Sequence, residues 1–157
     1  MTSPIIIRAA LNTDHPFILS LSSCLSEVAN LSWHKESNVQ KMQDEYMLEM
    51  LNNAPEPNTT LIAEKNSAPL GFIHACSHKD GISNEICGTV TLLAVSPNAK
   101  KMGIGQLLMN SAEEWAINQG YRLLRLEVFA NNNKAQHFYQ NVGFEAEMLH
   151  MVKQLNA

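Results

Sequence analysis

Cysteine is scarce in this 157-residue sequence: only Cys24, Cys76 and Cys87 occur. The count is odd and no spacing repeats, so nothing resembles a disulfide framework. The three read as reduced thiols in a cytosol. A chain of this length buries roughly 70% of its extended surface, enough for a core without disulfide or metal. Long apolar runs are also missing. No stretch approaches ~18 uninterrupted apolar residues, so the sequence predicts no membrane span. The start, MTSPIIIRAAL, holds a three-residue apolar block and then Arg8. It lacks the basic start and long apolar core of a signal peptide. Positive charge is in short supply: 11 Lys and Arg against 15 Asp and Glu give a net −4. No basic stripe marks a nucleic-acid partner. An acidic balance is slightly kinder to cationic substrates. There is no internal repeat or low-complexity segment, and residues 1–157 read as one domain.

What is present is a change of period. PIIIRAA reads as a short strand. In the next segment Asn12, Thr13 or Asp14 can cap a helix and Pro16 suits its first turn. Phe17, Leu21, Leu25 and Val28 then recur at helical spacing. NLSWHKES breaks that pattern. A second helix is expected from about Val39 to Leu51, with Met42, Tyr46 and Met50 on one stripe. The period then drops to two. TTLIAEK, LGFIHACSH and ICGTVTLLAV read as three strands joined by short polar turns, hence an antiparallel meander. A helix from Ile104 to about Asn118 follows, with Ile104, Leu107, Leu108, Ser111 and Trp115 on one face and Gly120 ending it. YRLLRLEVF is a strand, NNKAQHFYQNV a short helix and EMLHMVKQL a last strand. The expected order is β-α-α-β-β-β-α-β-α-β, a mixed α/β sheet flanked by helices.

The mouth of the Ile104 helix carries the first chemistry. Lys100-Lys101-Met102-Gly103-Ile104-Gly105 places lysines and glycines where the first helical N–H groups have no internal partner. Those groups and the positive end of the macrodipole form an anion site. Glycine lets phosphate oxygens reach the main chain. Neither common phosphate motif fits. No pair of glycines meets the Gly-x4-Gly-Lys-Ser/Thr spacing, and a dinucleotide fingerprint would need glycine where Leu108 stands.

A second stretch gives the anion a context. Asn132-x-x-Ala135-x-x-x-Tyr139-x-x-x-Gly143-Phe144 lies about thirty residues on. Together the two resemble the GCN5-related N-acetyltransferase (GNAT) superfamily. Its first motif, Val-x-Pro and then Arg/Gln-x-x-Gly-x-Gly/Ala, is met by Val95-Ser96-Pro97 and by Lys100 to Gly105. Lys100 departs from the usual Arg or Gln; it keeps charge and loses the guanidinium fork. The second motif is matched in full.

The resemblance implies a GNAT-like, mostly antiparallel sheet with splayed strands at a cleft for acetyl-CoA, the cosubstrate. No metal is implied. The main chain of Lys101, Met102, Gly103, Ile104 and Gly105 would hold pyrophosphate. Leu93, Ala94 and Val95 would bond the pantetheine arm. Asn132, with Ala135, would border its amide region, and Asn131 and Asn133 are close alternatives. The chemistry implied is direct acyl transfer to a primary amine. An alkylammonium loses its proton at pH 7 only at a cost of roughly 4.6 kcal/mol, so a base helps. Glu127, on its alternating strand, is one candidate; water ordered by Thr89 and Thr91 is another. Tyr139 matches the family's general acid. A main-chain N–H, that of Val95, would polarise the thioester carbonyl.

The loop holding Trp33 and His34 lies where the family builds acceptor specificity. His74, Cys76 and His78 alternate on one strand, with Cys87 on the next; neighbours spaced by two seldom wrap one tetrahedral ion. The acceptor expected is a small cationic amine in the cytoplasm, with a protein N-terminus or lysine as the alternative class. A non-catalytic acyl-CoA sensor and a toxin acting on charged tRNA are rivals; net charge −4 disfavours the second. No nucleic acid or membrane partner is expected. A homodimer is an expectation carried by the resemblance alone.

Overall fold

The computed structural model describes residues 3–155. Strand β1 (Ile6–Ala9) leads through a 3₁₀ turn at Asn12–Asp14 into α1 (His15–Ser20), α2 (Ser22–Ser26) and α3 (Glu36–Asn53). Then come β2 (Asn58–Lys65), β3 (Ala68–Lys79) and β4 (Ile86–Val95). A 3₁₀ turn at Pro97–Ala99 opens α4 (Ile104–Asn118), followed by β5 (Leu124–Leu126) and α5 (Asn133–Asn141). The sheet runs β1-β2-β3-β4-β5. The first three pairings are antiparallel, and β4 and β5 are parallel. The expected meander is therefore present.

Each sheet face carries its own core. On one side Ile73, Ala75 and Val90 pack against Ile104, Leu108, Met109 and Ala112 of α4. On the other, Ile62, Phe72, Leu92 and Ala94 meet Ile18, Leu21 and Met47. A bulge joins the two patterns. His74 pairs with Leu92 and Ala75 with Val90, so Thr91 has no partner in register. That extra residue is why Val90 faces α4 and Leu92 faces α3. At the start of the chain, the Arg8 guanidinium bonds Asp14 at 2.7 Å and Glu64 at 2.9 Å. Asp14 also accepts from the Leu11 N–H at 2.7 Å. It anchors the turn between β1 and α1.

Five expectations are corrected. The first helix breaks at Leu21 (φ −92°, ψ 2°) into α1 and α2. On α3 the buried stripe is Val39, Gln43 and Met47; Met42 and Tyr46 are exposed. Both stripes have helical spacing, and contact with the sheet selects one. On α4, Leu107 is exposed and Trp115 half-buried, while Met109, Ala112 and Ala116 take the core. Finally, residues 147–155 form no strand. A strand needs a ladder for its main-chain groups, and among the described residues none pairs with them. The strand expected over residues 121–129 shrinks to Leu124–Leu126 for the same reason. No helix among the described residues is long and apolar enough to cross a membrane.

Candidate functional site

The site grows from the end of β4. Beyond Val95 the Ala99 N–H donates to Ser96 O at 2.9 Å, which turns the chain. Lys101 (φ 67°) and Gly103 (φ 74°) then both enter the left-handed region. For lysine this costs roughly 1–2 kcal/mol; for glycine it is free. Gly103 stands at the N-cap of α4, where no side chain caps the helix. Leu107 N–H reaches Gly103 O at 3.2 Å. The N–H groups of Ile104, Gly105 and Gln106 precede that first helical bond and face outward, at the positive end of α4. Lys100, Lys101 and Met102 are exposed around them. Ile104 is pinned to the sheet through Gly71, where a Cβ would stand 3.3 Å from Ile104 Cγ2 and 2.9 Å from Ala94 O.

The strand that leads to this helix start leaves its parallel neighbour early. The parallel ladder joins Gly88 to Leu124, Thr89 to Arg125 and Val90 to Leu126, and then stops. β4 continues to Val95 bonded only to β3. Ser96 N–H donates to Leu70 O at 2.7 Å. Since pairs in an antiparallel ladder alternate, Phe72 and Ala94 form the next bonded pair. Leu93 and Val95 therefore turn their N–H and C=O groups away from β3, into the splay. Ala94 spends its own on the ladder. Of the three expected pantetheine contacts, Leu93 and Val95 have main-chain groups available and Ala94 does not.

Helix α5 forms the far wall. Asn132 caps it, its Oδ1 accepting from Ala135 N–H at 3.2 Å. Asn131 and Asn133 now separate from it. Asn131 Nδ2 donates to the carbonyl of Asn30 at 2.7 Å, and Asn133 is the first residue of α5. Gly105 has a role the motif alone did not reveal: a Cβ there would lie 3.4 Å from Phe138 Cζ. The missing side chain lets α5 close on α4. Tyr139, next to that ring, packs edge-on against Phe138 and Phe144 at centroid distances of 5.5 and 5.9 Å. It is half-buried, and burial raises its phenol above the usual tyrosine value. The phenol stays protonated at neutral pH.

The α3 face of the sheet carries a polar cluster. His74 is buried; its Nδ1 meets Thr91 Oγ1 at 2.5 Å, and burial pushes its pKa down to about 4. Tyr46 reaches from α3 toward Thr91, Cys76, Arg125 and Glu127, and burial raises its phenol. Arg125 Nη1 stands 3.0 Å from His78 Nε2, and Nη2 donates to Glu127 Oε1 at 3.4 Å. The Glu127 side chain is 85% exposed. His74 and His78 thus engage a hydroxyl and a guanidinium. Trp33 and His34 lie exposed in the loop before α3, their rings 6.3 Å apart. From sequence Thr91 is a candidate for ordering water and His74 is weighed as a metal ligand; their contact with each other, and Tyr46 beside them, are not read from it. The one signal was a polar-tipped aromatic on a helical stripe, which periodicity reads as core.

This arrangement of sheet and helices has counterparts among known proteins. The model of the acetyltransferase (GNAT) family matches residues 25–144. The chain belongs to this family. An uncharacterised N-acetyltransferase of Methanocaldococcus jannaschii is 32% identical over 100 residues, 60% of this chain and 44% of that one. The match thus spans less than half of that relative's length. The solved GCN5-related N-acetyltransferase of Ralstonia eutropha JMP134 superposes with a TM-score of 0.72 at 19% identity, covering 98% of this chain and all of its own. The aminoglycoside N-acetyltransferase AAC(6')-Iy, solved with CoA, gives 0.71 at 18%, covering 100% and 98%. At such identities the likeness is one of fold. Three features of this chain's own structure follow one another here: free main chain at Leu93 and Val95, a gap between β4 and β5, and outward N–H groups at α4.

Proposed function

We propose that this chain is an acetyl-CoA-dependent N-acetyltransferase acting by direct transfer on a primary amine, with a small cationic amine as acceptor. The observation that carries this reading is the end of the parallel ladder at Val90 and Leu126, on the strand that runs on to the uncapped start of α4. The amine nitrogen attacks the thioester carbonyl carbon, the C–S bond breaks, and the sulfur leaves as thiolate. Tyr139 gives that thiolate its phenolic proton. The ammonium gives one proton to water before the attack and the nitrogen a second after it, with Glu127 as an acceptor at the exposed rim; one proton returns through water to the Tyr139 phenolate, and the other leaves to solvent. Val95 N–H, turned into the splay, suits the carbonyl oxygen.

Three facts favour a small cationic acceptor. Net charge is −4. The Glu127 carboxylate is open to solvent at the cleft. AAC(6')-Iy, which shares the fold, has been solved with a CoA-linked acetylneamine analogue. Trp33 and His34 stand exposed on the loop that would meet such a molecule. Polyamines, amino-sugar antibiotics, amino acids and lysine peptides, each scored for release of free thiol from acetyl-CoA, test the reading. Thiol release with small amines is expected. A protein that binds CoA yet releases no thiol with any amine would be an acyl-CoA sensor instead, and turnover confined to the peptides would move the acceptor to protein.

A further inference from the structure

Two buried polar side chains on the α3 side of the sheet hold hydrogen-bonding atoms with no protein partner. His74 is 1% exposed and Gln43 7%. The His74 ring engages only Thr91, through Nδ1, and the Gln43 side-chain amide bonds nothing among the described residues. Burying such groups unpaired is costly. Among those residues, no side-chain nitrogen or oxygen sealed from solvent lacks a partner. His74 Nε2 and the Gln43 amide therefore each reach solvent through a narrow opening. Both belong to the layer between α3 and the sheet. Gln43 sits between Val39 and Met47 on the buried stripe of α3. Met47 packs on Phe72 and Leu92, and Leu92 is the cross-strand partner of His74. Tyr46 neighbours Gln43 on the helix surface and reaches Thr91. Thr91 sets the histidine tautomer. Its hydroxyl donates to the His74 carbonyl at 3.3 Å, so the hydrogen between Thr91 Oγ1 and Nδ1 belongs to the ring. Nε2 then carries a bare lone pair.

We propose that this layer reads a hydroxyl group of the acceptor, which donates to His74 Nε2 and bonds the Gln43 amide. The acceptor is then a small hydroxylated primary amine, of the amino alcohol or amino sugar kind. This assignment rests on the acetyl-transfer reading. The chemistry of the two groups selects the hydroxyl. Nε2 needs a donor, so a carboxylate, with no proton to give, sets its lone pairs against the ring. A second ammonium could donate, but it would leave water for a layer that keeps even histidine neutral to about pH 4. The Arg125 guanidinium, toward which Tyr46 also reaches, disfavours it further. Size agrees as well, since openings that expose so little of either residue suit a group as small as water. Leu92, opposite His74, lies roughly 10 Å of strand before Val95. The hydroxyl and the reacting nitrogen are therefore several bonds apart.

The full chain with acetyl-CoA, scored for free thiol, tests it on matched acceptors: 4-aminobutanol, butylamine and putrescine, with their pentyl and hexyl homologues. The best amino alcohol should exceed its matched alkylamine and diamine in kcat/KM by about tenfold or more. In Gln43→Leu and in His74→Leu that ratio should fall to within about twofold of one. Gln43→Leu should also raise the urea midpoint, because an apolar side chain replaces an unpartnered buried amide. A glutamine kept for structure alone would lower it and leave the ratio unmoved. Alkylamines or diamines acetylated as well as every amino alcohol overturn the inference and leave acetyl transfer standing. A ratio that survives both substitutions also overturns it. No thiol release with any amine overturns acetyl transfer and this inference together. If neither variant folds, nitrogen NMR of the wild type decides. With CoA bound, adding 4-aminobutanol should move the His74 Nε2 resonance while Nδ1 keeps its hydrogen. An unmoved resonance overturns the contact.

Discussion

The side-chain amide of Asn131 donates to the main-chain carbonyl of Asn30 at 2.7 Å, across 101 residues of sequence. It ties the turn before α5 to the loop that carries Trp33 and His34. A hydrogen bond of this kind contributes about 0.5–1.5 kcal/mol. Asn131→Ala should free that loop and raise the acceptor KM by about two- to tenfold. Acetyl-CoA affinity should hold, because Asn132, not Asn131, caps α5. Equal loss of both affinities would show that the tie supports the whole cleft.

Tyr139→Phe keeps the ring stacked between Phe138 and Phe144 and removes only the phenol. Turnover should fall by about 10²–10³ with acetyl-CoA affinity unchanged. Burial raises the Tyr139 phenol above its ordinary 10. The wild-type rate should therefore hold its acid through pH 9 and decline only above about pH 10. Full turnover in the variant removes Tyr139 as the proton donor.

Gly103 and Gly120 stand at opposite ends of α4 with nearly equal backbone angles, φ 74° and 82°. A methyl on either meets nothing within 4 Å, so the cost is strain alone. Alanine at either should destabilise the fold by about 1–2 kcal/mol. Only Gly103→Ala should also weaken acetyl-CoA, by about tenfold, since it alone aims the outward N–H groups. Titration calorimetry beside chemical denaturation separates the two effects. Matched affinities in the two variants would remove the α4 start from the binding site.

His74 gives the fold a pH dependence of known sign. Its ordinary value is 6.5 and burial pushes it down to about 4. Between those values the unfolded chain holds a proton that the folded chain refuses, so stability rises with pH. The contribution is complete above about pH 6.5 and is lost as pH falls toward 4, up to about 3 kcal/mol. Asp14, Asp80 and Glu85 have lowered values, so their own losses come mainly below this window. Urea midpoints at about pH 7 and pH 5 should separate in the wild type and converge in His74→Gln. A wild type with equal midpoints would show that His74 gains its proton without unfolding.

Much of this architecture was legible along the chain. The bounds of β4 and α4, the meander and the loop at Gly103 follow from alternation, turn residues and a helix start. Those are properties of neighbours. The illegible parts depend on distant partners. The stripe of Val39, Gln43 and Met47 has the same spacing as Met42, Tyr46 and Met50, and only the sheet chooses between them. Gly105 reads as room for phosphate; its contact with Phe138 belongs to a residue 33 positions away. Residues 147–155 read as a strand by composition, and composition supplies no ladder.

By itself the sequence determined that Gly120 ends α4, which segments alternate, and that two motifs resemble an acetyltransferase. Local sterics and side-chain periodicity are set within a few residues, so they survive being read in order. Only the tertiary structure decided that β4 and β5 part after Val90 and Leu126. It alone turned Leu93 and Val95 into the gap, brought Tyr46 over the polar cluster, and left residues 147–155 without a ladder among the described residues. Each of these depends on which main-chain groups are already bonded across the sheet, and a ladder joins residues that the sequence keeps far apart.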